Sequence, residues 1–99
     1  MKLSKRLITA ARRKAFPWHA TPPRGATGAV ESTLKFCIEG RLAGATGPQI
    51  YARFMGQYRE LRPGCSDEFC LACEGEVARA QRLVLACLEA VAAAERAGP

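Results

Sequence analysis

The chain has 99 residues, 48% hydrophobic and 24% charged, with a net charge of +6. That length makes one domain, and that balance excludes a disordered chain and a membrane-spanning one, since no apolar run nears the roughly 18 residues a span needs. The charge is lopsided: residues 1–30 hold seven basic groups and no acid, whereas the remainder holds eight basic and nine acidic groups. A near-neutral body with a cationic arm suits nucleic acid, an acidic protein or an anionic membrane surface.

Residues 1–16 predict a basic first helix. Leu3, Leu7, Ala10 and Ala11 lie on one stripe with Ile8 beside it, while Lys5, Arg12 and Arg13 face away. Its acid-free, arginine-rich start also fits an organellar transit peptide. No 7–15-residue apolar block follows the first lysines, as a secretory signal would require. The expectation is a cytoplasmic protein that keeps its N-terminus. Residues 17–27 predict a loop, because Pro17, Pro22 and Pro23 forbid a regular element. Trp18 in that loop is a candidate partner contact. His19 has no catalytic partner near it in sequence.

Residues 28–62 predict a pair of helices. Val30, Leu34, Cys37, Ile38 and then Leu42 follow helical spacing, and Gly44 suits the left-handed position that closes the helix. Ile50, Tyr51, Phe54, Met55, Tyr58 and Leu61 continue the period until Pro63-Gly64. The stretch Gly-Ala-Thr-Gly occurs twice, at 25–28 and 44–47. Each copy sits where a helix begins, with neither the preceding strand nor the Lys-Ser/Thr pair of a phosphate loop. Capping explains both. Thr27 offers a hydroxyl cap, and Thr46-Gly47-Pro48-Gln49 reads as a capping box.

Residues 66–96 predict a long helix. Asp67 and Glu68 occupy its first turn, and Cys70, Cys73, Val77, Ala80, Val84, Cys87 and Val91 form a heptad seam. At 1.5 Å per residue it would span roughly 45 Å, so either Gly75 breaks it or a second copy of the chain covers the overhang. No segment alternates with period two, so the fold class is all-α: a small helical bundle of three short helices plus one long C-terminal helix, in one domain.

Five cysteines make an odd set. Cys65, Cys70 and Cys73 are spaced for metal but lack an evident fourth ligand, and two of them sit on the seam. No metal and no cofactor is expected. No nucleophile, base and oxyanion donor cluster in sequence, so the chain is expected to be a binding protein and not an enzyme.

The pair of helices joined across residues 43–46 resembles a helix-turn-helix over residues 36–55. Gly44 would be the turn glycine, Thr46 the cap and Ile50 the inward anchor, leaving Gln49, Arg53 and Gln57 outward. The chain departs from the pattern at Glu39, which stands where an apolar residue usually flanks the small Gly40. A plain bundle accounts for the same spacing. The resemblance implies a regulator that docks on nucleic acid, its candidate contacts being Lys5, Arg6, Arg12, Arg13, Lys14, Arg24, Gln49 and Arg53. The competing expectation is a protein–protein module, such as a small inhibitor or adaptor carried by a phage or mobile element.

Overall fold

The computed structural model describes residues 1–17, 24–60 and 71–98. They form four helices, α1 (Lys5–Ala15), α2 (Ala26–Leu42), α3 (Gly47–Glu60) and α4 (Leu71–Ala97), and no strand is present among them. The all-α bundle is as expected. α1 and α2 begin at other residues than the periodicity implies.

α1 begins at Lys5, four residues later than the pattern implies, because Ser4 is extended and its hydroxyl accepts the Leu7 N–H at 3.1 Å. Leu3 and Ile8 occupy the two positions of a hydrophobic staple around that cap, and both pack on the core. Arg12, Arg13 and Lys14 fill the last turn, where cations complement the helix dipole. α2 starts at Ala26, with Gly25 as its cap residue at φ 82° and no side-chain cap. Thr27 therefore does not cap this helix, contrary to expectation; its hydroxyl accepts from Arg12 Nη1 at 3.3 Å.

The turn between α2 and α3 follows the expected chemistry. Gly44 is left-handed at φ 89°. The Ala45 N–H reaches Gly40 O at 2.9 Å and the Gly44 N–H reaches Arg41 O at 3.0 Å, the paired bonds of a Schellman closure. Thr46 N–H donates to Gln49 Oε1 at 2.9 Å, and Gln49 N–H returns to Thr46 Oγ1 at 3.3 Å, completing the capping box. α4 runs unbroken through Gly75, so glycine does not divide it. Its 27 residues span about 40 Å. Residues 66–70 lie outside the described residues.

Packing follows the apolar stripes. Leu7, Ala11 and Ala15 bury the inner face of α1; Val30, Leu34, Cys37 and Ile38 that of α2; Ile50 and Met55 that of α3. From α4 come Ala80, Val84, Cys87 and Val91 of the expected seam, widened by Ala86 and Ala90, with Val77 only half-buried; Cys70 and the Cys73 side chain lie outside the described residues. Leu42 is a correction, being 69% exposed. Twelve residues at 100° each place it about 120° around the helix from Val30, off the buried stripe. Thr33 is buried and polar, and its hydroxyl donates to Ala29 O at 2.7 Å.

Gly40 lets α3 sit close on α2: a Cβ there would lie 2.7 Å from Ile50 Cγ1. Beside it, the Phe36 and Phe54 rings meet edge to face at 5.6 Å. The order of contacts fixes direction. Lys14 meets Glu89 and the Phe16 ring lies under Arg82, so α1 is antiparallel to α4. Val30 meets Cys87 and Arg41 meets Glu95, so α2 runs parallel to α4. Both α1 and α3 pack on α2 and on α4 but not on each other, so they flank the α2–α4 pair. The molecule is flat, with principal extents of 45 × 34 × 16 Å.

Candidate nucleic-acid interface

The cationic arm becomes a surface because α1 has one buried side. With Leu7, Ala11 and Ala15 inward, Lys5, Arg6, Thr9, Arg12 and Arg13 share an opposite arc of about 120°. Lys5, Arg6 and Arg13 are exposed and form no ion pair among the described residues; Arg12 is half-buried and donates to Thr27. Arg24 is exposed in the turn before α2.

Lys14 differs from its neighbours. It leaves this arc toward α4, where its Nζ donates to Glu89 Oε1 at 3.1 Å. A cation held by a carboxylate on its own chain offers less to an outside phosphate. Glu95, near the other end of the bundle, is held likewise. Arg41 grips Glu95 through two parallel bonds, Nε to Oε1 at 3.0 Å and Nη2 to Oε2 at 2.9 Å, and spends Nη1 on Ala45 O at 2.9 Å. The hydrogen bond from Arg41 holds the Glu95 carboxyl below its ordinary range, and Glu95 raises the guanidinium in return. Arg41 thus ties α2, the turn and α4 together.

The second expected surface lies on α3. Gln49, Ala52, Arg53, Gly56 and Gln57 are exposed together, with small residues between the longer polar ones. Gly56 has open space where a Cβ would stand. A helix of this make can approach a groove edge closely. The candidate residues therefore form two groups: Lys5, Arg6, Arg12 and Arg13 on α1, and Gln49 and Arg53 on α3. The fold does not bring these groups together, because α1 and α3 lie on different sides of the α2–α4 pair. Trp18, His19, Cys65 and Cys70 lie outside the described residues, as does the Cys73 side chain.

The described thiols are poor nucleophiles. Cys37 and Cys87 are fully buried and free. Burial pushes the Cys37 thiol up to about 11, and burial followed by the nearby Cys37 raises Cys87 further. No group of three or more metal-ligating side chains occurs among the described residues. No helix there is long and apolar enough to cross a membrane. A groove between the start of α3 and the end of α4 has an apolar floor of Leu88, Val91 and Ala92, and its one acid is the Glu95 already bound by Arg41.

Sequence reasoning missed Ser4 and Thr9. Ser4 carried a signal, a serine just before a periodic run, although no Glu or Gln follows three residues later to complete a box. The pairs at Glu89 and Glu95 carried none, because their partners are 75 and 54 residues away. No protein-family model matches the chain, and neither a curated protein nor a solved structure matches it.

Proposed function

We propose that this protein is a small basic regulator that docks on nucleic acid, gripping phosphates with the outer face of α1 and presenting Gln49, Arg53 and Gln57 of α3 to base edges. The carrying observation is that Lys5, Arg6 and Arg13 share one exposed face and have no ion-pair partner among the described residues. Free cations on a rigid helix attract phosphates and release their counterions, the main source of sequence-independent affinity. The same helix read as a membrane anchor fares worse, since its apolar side is occupied in the core and unavailable for insertion. The close seat of Ile50 on Gly40 and the Schellman turn support the helix-turn-helix likeness of α2 and α3. Because α1 and α3 lie on different sides of the α2–α4 pair, the two faces would meet different segments of nucleic acid, so phosphate grip and base reading are separable functions in this reading.

The test is a duplex titration at rising salt. Changing Lys5, Arg6 and Arg13 together to Ala should flatten the slope of log affinity against log salt by about 2.7, at roughly 0.9 per lost phosphate contact. Arg53→Ala should instead reduce discrimination between sequences by ~1–3 kcal/mol. A parent protein that binds neither duplex nor single strands at about 50 mM salt refutes the reading.

A protein-docking role is the second reading. It rests on Leu85, which is 53% exposed at the centre of the outer face of α4, between Arg82 and Glu89. An acidic partner or a second copy of the chain would cover that leucine. In that case retention on a polyanion column fails while Leu85→Asp abolishes the association.

A further inference from the structure

Thr9 lies at the middle of the cationic arc of α1. On a helix the nearest surface neighbours of a residue are those three and four positions away. For Thr9 these are Lys5, Arg6, Arg12 and Arg13, and every one is cationic. The residue is half-buried, and its hydroxyl makes no hydrogen bond among the described residues. Each of the other three described threonines has a hydrogen-bond partner for its hydroxyl, as acceptor or as donor. Thr27 accepts from Arg12, Thr33 donates to Ala29 O, and Thr46 accepts from the Gln49 N–H. A threonine inside a helix ordinarily returns its proton to the carbonyl four residues back, as Thr33 does. At Thr9 the hydroxyl has neither donor nor acceptor partner among the described residues, and it stands amid four cations.

We infer that Thr9 is the seat of a backbone phosphate: its hydroxyl donates to a phosphodiester oxygen while Lys5, Arg6, Arg12 and Arg13 surround the anion. This rests on the reading of α1 as a phosphate grip and adds to it a fixed point of contact. Long basic side chains alone hold a phosphate loosely, at many positions. A short hydroxyl on the helix surface supplies one donor of restricted direction, which sets where along the helix a phosphate sits. Arg12, positioned by Thr27, approaches from the α2 side of the same seat.

The experiment separates charge from position. Thr9→Val keeps the branched shape and removes the donor; Thr9→Ser keeps the donor. Each variant is titrated with a duplex oligonucleotide of arbitrary sequence across a range of salt, beside Arg13→Ala. A neutral donor releases no counterion. Thr9→Val should therefore weaken binding about fivefold to twentyfold with an unchanged salt slope. Thr9→Ser should stay within about twofold of the parent, and Arg13→Ala should lose about 0.9 of slope. Melting temperatures of all three should match the parent, which excludes a folding effect. If the parent binds and Thr9→Val binds equally well, the Thr9 seat is refuted while the phosphate-grip reading stands. If Thr9→Val loses slope, the hydroxyl acts only through its charged neighbours and the seat is likewise refuted. If the parent binds no oligonucleotide, or binds only vesicles of anionic lipid, both readings fall.

Discussion

Replacing Gly40 with alanine measures how closely α3 sits on α2. Within a helix, alanine is favoured over glycine by about 1 kcal/mol, so propensity alone promises a more stable protein. The structure opposes this. The new Cβ would stand 2.7 Å from Ile50 Cγ1 and 3.0 Å from Cδ1, well inside van der Waals contact. Cγ1 is bonded to the branched Cβ, whose χ1 is stiff, and the side chain is packed on all sides, so it has little room to swing; Ile50 is 1% exposed. Overpacking of this kind costs ~1–3 kcal/mol. Taking the middle of that range against the propensity gain, Gly40→Ala should be destabilised by about 1 kcal/mol. In a chain near this length that lowers the melting temperature by roughly 4–8 °C. Gly56→Ala is the control: its Cβ would meet nothing within 4 Å, so it should gain what Gly40→Ala is denied. Urea and thermal unfolding of both variants read the difference, expected near 2 kcal/mol. Ile50→Ala alone should cost about 2–5 kcal/mol, and adding Gly40→Ala to it should then cost nothing more. Should Gly40→Ala melt as high as Gly56→Ala, the close seat of α3 on α2 is wrong.

Neighbouring positions on α4 should behave oppositely: Val84→Asp, at a site with no exposure, should unfold the protein, while Leu85→Asp, 53% exposed, should leave circular dichroism and melting nearly unchanged. Glu95 is held below the ordinary glutamate value of 4.5 by its hydrogen bond to Arg41, so its contribution is present above that value and lost as pH falls through the lower folded one. Glu95→Gln should accordingly flatten the fall of melting temperature below about pH 4.5, and an unaltered acid limb would show the pair to be inert. Cys37 and Cys87 should resist alkylation in the native protein at pH 8 and react on unfolding, because burial keeps both thiols protonated; mass spectrometry of labelled peptides maps this, and rapid native labelling of either would contradict the packing.

Features that depend on neighbours within five residues were legible in the chain itself. The Thr46–Gln49 box, the left-handed Gly44 and the seam of α4 each arise from backbone geometry and local hydrogen bonding, so spacing alone reveals them. The cationic character of α1 was equally plain, since one acid-free stretch of sequence carries it. Tertiary structure decided what those parts do together. Lys14 is drawn to Glu89 and Arg41 to Glu95 only because α4 folds back along α1 and α2. Thr27, a good cap by composition, serves Arg12 once Gly25 has turned the chain. Gly40 looks like a weak point in a helix until Ile50 occupies the space its missing side chain leaves. The separation of the α1 and α3 faces depends on which helices share the core, and burial selects that arrangement across the whole chain at once, through contacts that no local pattern records.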